Sequence, residues 1–167
     1  MGNIKIFEGI IPENACESII QEGLSYPRIK AGIGKDNELS RGRSTTVAFI
    51  NNAFLKSYIY QLVFSNYDTE ITEIEDLQFA AYNVGDYYGR HKDADDENKR
   101  VLSVSVQLSN PSSYKGGELI VEDTIITPKE NRVVIFGPGL IHKVNEFEGQ
   151  RVSLSINPWN RLLEKYK

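Results

Sequence analysis

From residue 77 onward the chain is a succession of short β-branched segments, and this limits the folds open to it. Segments 77–84, 100–109, 118–121, 133–136, 140–144 and 151–156 are rich in Val, Ile, Leu and Ser. Turn residues part them: Asn110-Pro111, Gly116-Gly117, Gly137-Pro138-Gly139 and Gly149. A parallel α/β sheet needs helices between its strands, and no helical pattern lies there. Short strands joined by tight turns make an antiparallel sandwich or jelly roll.

The first 70 residues read differently. Residues 4–7 alternate weakly and suit a short strand. Pro12 suits a first helical position and Gly23 a stop, with Ala15, Cys16, Ile19 and Ile20 as the apolar stripe between them. A second helix is predicted over about 53–64, with Leu55, Ile59, Leu62 and Val63 buried. Residues 30–44, rich in Gly, Ser and charge, read as a long loop of the kind that often serves as a lid. The expected class is therefore mainly β (α+β), with the N-terminal helices packed on one sheet.

At 167 residues, with 40% hydrophobic and 25% charged content, the chain suits one soluble domain spanning 1–167. A single cysteine, Cys16, precludes an internal disulfide and points to a reducing, cytoplasmic setting. No segment resembles a signal peptide or reaches the ~18 apolar residues of a membrane span. Ile6 breaks the myristoylation pattern that Met-Gly would open. The net charge of −4 argues against nucleic acid as the main partner.

Strand alternation separates two chemistries. In 100–108, Ser103, Ser105 and Gln107 oppose Val104, Val106 and Leu108. In 151–156, Arg151, Ser153 and Ser155 oppose Val152, Leu154 and Ile156. One such strand would simply have a solvated outer face. Two of them predict an apolar face under the helices and a small-residue polar face lining a cavity, where Arg151 could anchor an anion.

Both histidines of the chain fall into one metal-binding pattern. His91 and Asp93 stand two apart, which on a strand places them on one face. His142 follows 49 positions after Asp93, and Arg151 nine after that. Two imidazoles and a carboxylate on one side of an ion leave three coordination positions open, the facial arrangement of non-haem Fe(II) oxygenases. Alone, the acidic run Asp93 to Glu97 could be a solvated or Ca²⁺-binding loop. An EF-hand register fails, since Asn98 stands where Gly is required and Val104 where Glu is required.

Taken together, Tyr82-x-x-Gly85-x-x-Tyr88-x-x-His91-x-Asp93, Arg100-Val-Leu-Ser-Val-Ser-Val-Gln-Leu-Ser, Tyr114-Lys-Gly-Gly-Glu-Leu, His142 and Arg151-x-Ser153 resemble the 2-oxoglutarate/Fe(II)-dependent dioxygenases. Within them the chain is most similar to the prolyl 4-hydroxylase-like branch. The likeness is close over about 77–157 and fainter over 7–16. It implies a double-stranded β-helix (jelly roll, cupin-like), with metal and cosubstrate bound in that core. It also implies His91, Asp93 and His142 as Fe(II) ligands, Arg151 on the distal carboxylate of 2-oxoglutarate, and Ser153 and Tyr82 in support. O2 is the second implied cosubstrate, ascorbate the reductant, and a prolyl residue of a peptide or protein the substrate.

Two positions depart from the oxygen-sensing prolyl hydroxylases. Gln107 matches a tyrosine that binds cosubstrate there, and Asn157 a tryptophan. Asn157 also stands where nucleic-acid dealkylating members of the superfamily carry a second arginine. Candidate substrate contacts are Tyr88, three before His91, Arg43 in the predicted lid, and Asn157 and Trp159 at the entrance. Hydroxylation of a free amino acid or small metabolite is the alternative activity. A non-enzymatic metal-binding β-sandwich is the alternative outside enzymes.

Overall fold

The computed structural model describes residues 4–12, 14–30, 43–93, 100–149, 151–156 and 158–159, with backbone only at 43–44, 147–149, 151–156 and 158–159. The first elements are β1 (Lys5–Glu8), α1 (Ala15–Ser25), β2 (Ile29–Lys30), β3 (Arg43–Ser44), β4 (Thr46–Ile50) and α2 (Ala53–Asn66). Next come β5 (Glu73–Ile74), β6 (Leu77–Tyr82), β7 (Tyr87–His91) and β8 (Ser103–Gln107). After a 3₁₀ turn at Pro111–Ser113 follow β9 (Tyr114–Gly116), β10 (Leu119–Val121), β11 (Thr124–Ile126) and β12 (Arg132–Phe136). The last are β13 (His142–Val144), β14 (Phe147–Gly149), β15 (Arg151–Ile156) and β16 (Pro158–Trp159).

Two antiparallel sheets carry the fold, with strand orders β1-β12-β8-β15-β6-β4-β2 and β11-β10-β13-β7-β3. This is the double-stranded β-helix that the motifs imply. Among the described residues no helix is long and apolar enough to cross a membrane.

The larger sheet has two unlike faces because its strands alternate. Val104, Val106, Leu108, Val133, Ile135, Phe79 and Leu77 point to one side and bury against Cys16 and Ile19 of α1 and Leu55, Ile59 and Val63 of α2. The register keeps the other parity together: Gln107 lies opposite Ser153, Ser153 opposite Ala80, and Ala80 opposite Val47. Toward the smaller sheet this second face is closed by two apolar clusters. One joins Val134 and Phe136 to Leu119, Val121 and Ile126, the other Tyr82 and Ala80 to Tyr114.

Several local expectations change. Helix α1 does not stop at Gly23 but runs on to Ser25, ending before Pro27, whose ring disfavours helical backbone in the residue ahead of it. Gly23 instead lies over Phe79, where an added Cβ would come within 2.4 Å of the ring. Helix α2 begins at Ala53 as the pattern predicts, capped by Asn52 through Leu55 N–H, and continues to Asn66. Strand β4 is not separated from the neighbouring loop and helix in the sequence reading, because its five residues lack polar alternation. Of the predicted lid, residues 31–42 lie outside the described residues, and its end, Arg43–Ser44, pairs with Tyr88 and Tyr87.

Gly23→Ala tests the contact with Phe79. Better helix propensity would add up to about 1 kcal/mol of stability. Forcing a methyl group into a fully buried ring costs about 1–3 kcal/mol, so the variant is expected to unfold at lower urea concentration.

Candidate metal centre

Cross-strand pairing builds the centre. In the β13–β7 ladder His142 lies opposite His91, and a bulge shifts the register before Val144 meets Tyr88. The two imidazole centroids stand 4.0 Å apart, tilted by 58°. Asp93 joins them in a way the i, i+2 reading does not foresee. Strand β7 ends at His91, and Asp93 sits in the bend beyond it, its backbone N–H donating to Pro138 O at 2.9 Å.

One ligand atom from each of the three residues lies within 4.8 Å of the others. Asp93 Oδ1 is 3.6 Å from His91 Nε2, and Oδ2 is 3.4 Å from His142 Nε2. Ligands ~2.1 Å from an ion and at right angles to each other lie about 3 Å apart, so a small closure accommodates a divalent cation. Contacts with main-chain oxygens favour the needed tautomers. His91 Nδ1 is 2.7 Å from Gly89 O and His142 Nδ1 3.0 Å from Leu140 O. A proton on each Nδ1 donates there and leaves the Nε2 lone pairs for the ion.

Neighbours restrain each ligand. Ser103 Oγ donates to Asp93 Oδ2 at 2.5 Å, and Arg100 Nη1 lies 3.2 Å from Oδ1. Tyr88 stacks on His91 with centroids 3.6 Å apart, and Phe136 meets His142 edge-on at 4.8 Å. His142 is only 7% exposed. The sequence reading places Ser103 on the polar face but does not assign it to Asp93, and it does not single out Arg100 or Phe136. The alternation signals the first. For the other two a spacing alone carries no such information.

The remaining candidates fall at several depths. Tyr82 is buried on the cavity side of β6, and its backbone pairs with Arg151. Ser153 pairs with Ala80 and Gln107. Tyr88 is packed against a ligand imidazole as well as paired with Arg43. Trp159 pairs with Glu73 in the short β16–β5 ladder. Asn157 lies outside the described residues.

Gln107 adds a feature of its own. It is 1% exposed, and its Oε1 accepts the Lys129 N–H at 2.9 Å. That bond turns Nε2 the other way, where it is buried with no hydrogen-bond partner among the described residues. An orphaned buried donor costs free energy unless something accepts from it.

Comparison with known proteins places this arrangement. A family model described as the 2OG-Fe(II) oxygenase superfamily matches residues 77–161. A PKHD-type hydroxylase of Synechocystis is 31% identical over 131 residues, covering 64% of this chain and 42% of that protein. One from Prochlorococcus marinus is 27% identical, covering 78% of this chain and 61% of its own length. The chain thus spans less than two thirds of these curated relatives. A Trichoplax adhaerens prolyl hydroxylase, solved with a hypoxia inducible factor peptide, superposes with TM-score 0.83 at 17% identity, covering 98% of this chain and 86% of that one. A Pseudomonas putida prolyl-4-hydroxylase gives TM-score 0.72 at 18% identity, covering 95% and 92%.

Divalent metal binding by calorimetry, with Mn²⁺ in place of iron, distinguishes ligand from support. His142→Ala is expected to abolish binding. Ser103→Ala should weaken it by roughly 10–100-fold, the usual loss when a ligand's hydrogen-bond partner is removed. Unchanged affinity in Ser103→Ala would show that Asp93 needs no such brace.

Proposed function

Because the chain belongs to the 2OG-Fe(II) oxygenase superfamily, we propose that it hydroxylates a prolyl residue within a peptide or protein. The reaction takes one C–H bond, O2 and 2-oxoglutarate to C–OH, succinate and CO2, with ascorbate as the reductant that maintains the iron. The observation that carries the reading is the grouping of His91, Asp93 and His142, with both Nδ1 atoms against main-chain carbonyls. We further propose that 1–167 is a single domain acting in the cytoplasm, with its metal and cosubstrate core over about 77–157.

The residues present fit the cofactor and cosubstrate. Two neutral imidazoles and a carboxylate suit Fe(II) and leave room on one side. The orphaned Nε2 of Gln107 suits an acidic cosubstrate, which would supply the acceptor it lacks. When bound, Fe(II) and 2-oxoglutarate would supply the electrons that activate O2, the keto acid being oxidised to succinate and CO2.

The chain's own part is placement. His91 Nε2, His142 Nε2 and one Asp93 oxygen would hold the metal, with Ser103 and Arg100 keeping the carboxylate in line. Arg151 would meet the distal carboxylate of 2-oxoglutarate, since a guanidinium stays charged and can bond a carboxylate through two N–H groups. Tyr82 lies opposite Arg151 in the ladder and Ser153 two positions beyond Arg151 on β15, and both would add hydrogen bonds. The Tyr88 and Phe136 rings shield the imidazoles, limiting the water that would otherwise compete there. For substrate contacts we assign Tyr88, Arg43, Asn157 and Trp159.

Arg151→Leu would remove the partner proposed for the distal carboxylate, a loss on the order of 3–5 kcal/mol where such a pair is buried. The 2-oxoglutarate KM is expected to rise steeply with Mn²⁺ affinity nearly unchanged. An unaltered KM would remove Arg151 from the cosubstrate site.

The prolyl assignment is tested separately. A proline-rich segment lies extended without internal backbone hydrogen bonds, so it can enter a cleft without unfolding. Peptides from a proline-rich library, and free L-proline, are incubated with the enzyme, Fe(II), 2-oxoglutarate and O2. A mass gain of one oxygen on peptide is expected. Hydroxylation of free proline with every peptide untouched would point to the free amino acid activity instead, leaving the iron and cosubstrate roles intact.

A further inference from the structure

Away from the metal centre, the outer surface of α2 is unusually aromatic. Phe54 is 83% exposed, Phe64 77% and Tyr60 47%, with Tyr58 exposed beside them. The helix buries Leu55, Ile59 and Val63 against the sheet, so these rings lie off the buried stripe. Where α2 ends, Tyr60, Phe64, Tyr67, Asp68 and Glu70 line much of a cavity of about 520 Å³.

The aromatic rings and carboxylates that line that cavity suit a cation. Aromatic faces attract ammonium and guanidinium groups, and a nearby carboxylate adds a charge-assisted hydrogen bond. One such contact is already present. The Lys5 ammonium stands 4.3 Å from the Tyr67 ring centroid and donates to Asn66 O at 2.6 Å. Asp68 and Glu70 form no ion pair among the described residues. Tyr60 and Phe64 supply further rings beside those carboxylates.

Size and charge then narrow the occupant. The rings run beyond the cavity along α2 as far as Phe54, more than a small cation would cover, and apolar side chains laid against a helix face are a recurring way of holding a polypeptide. A second copy of the chain is disfavoured. A twofold contact through this face would bring the carboxylates of one copy close to those of the other, in a protein of net charge −4.

We propose that the outer face of α2 and the adjoining cavity form an exosite for a polypeptide segment that carries Lys or Arg beside apolar residues. The segment's cationic side chain enters the cavity, and its apolar side chains cover Phe64, Tyr58 and Phe54. Helix α2 covers the side of the larger sheet opposite to that of Ser103 and Gln107, so the exosite is separate from the metal centre. Its occupant need contain no proline, and the inference does not depend on the hydroxylation reading.

The test is fluorescence anisotropy with a labelled dodecapeptide of repeating Lys-Leu-Ala-Arg, against its Glu-Leu-Ala-Glu counterpart. The cationic peptide should bind and the acidic one should not. Phe64→Ser, which removes an exposed ring and leaves the core alone, should weaken binding about tenfold, the scale of an interface anchor. The double variant D68N/E70Q should weaken it as well. Val84→Ser, on an exposed turn residue elsewhere, should leave it unchanged. Unchanged melting temperatures would confirm that the variants are folded. The proposal is overturned if the cationic peptide does not bind, if the acidic peptide binds equally, or if Phe64→Ser has no effect. It is also overturned if sedimentation velocity shows a dimer that Phe64→Ser dissociates.

Discussion

The ladder between β7 and β13 sets His142 opposite His91 and so brings together two imidazoles that are 51 positions apart in the chain. Side chains alternate along a strand, so a slip of one residue would send one imidazole to the far face. The bulge after His142 confines the irregularity to the neighbouring position, and the packing of Phe136 and Tyr88 against the two rings resists rotation. Asp93 then needs only to fold back from the strand end. Pro138 O holds its backbone, Ser103 and Arg100 its carboxylate. The centre is therefore supported by β7, β8 and β13 together, and a loosening of any of them would be felt at all three side chains.

Such a polar centre depends on the other side of the larger sheet. There Leu77, Phe79, Val104, Val106, Val133 and Ile135 are buried under the two helices. Each such side chain removed from water contributes about 1.5–3 kcal/mol, enough in sum to tolerate Ser103, Ser105 and Gln107 on the opposite face. The close seat of Gly23 on Phe79 belongs to the same arrangement. A helix approaching that nearly leaves no void above the ring, and the sheet beneath it gains rigidity.

What the sequence revealed followed periodicity. The stripe Cys16, Ile19 and the set Leu55, Ile59, Val63 are buried as their spacing predicts. Strand 151–156 runs over its expected residues, and the apolar parity of 103–107 faces the helices. The grouping of His91, Asp93 and His142 was legible too, though for a partly mistaken reason. A two-residue spacing implied a common strand face, whereas strand β7 ends at His91, before Asp93. Gly23 misled because a glycine near the end of an apolar stripe usually stops a helix, while here the absent side chain serves close packing. Strand β4 escaped because Thr46 followed by four apolar residues carries no alternation. The contacts of Arg100 and Ser103 with Asp93 were hidden because Asp93 lies in a bend beyond its strand, where no periodicity points to a partner.

Gln107 brings fold and chemistry to one atom. An amide that completes one bond and finds no partner for its other end among the described residues is a poor choice for stability, because a buried donor without an acceptor is penalised in every folded molecule. Its Oε1 could not be exchanged for the donor without losing the Lys129 N–H, so the orientation is set by the fold. Nε2, without a partner among the described residues, therefore points away from that loop as a fixed feature of β8, on the strand that also supplies Ser103 to Asp93. A hydrocarbon of similar size would pack there without the penalty. The amide makes physical sense once an acceptor arrives from outside the chain, and a dicarboxylate bound as proposed would be such an acceptor.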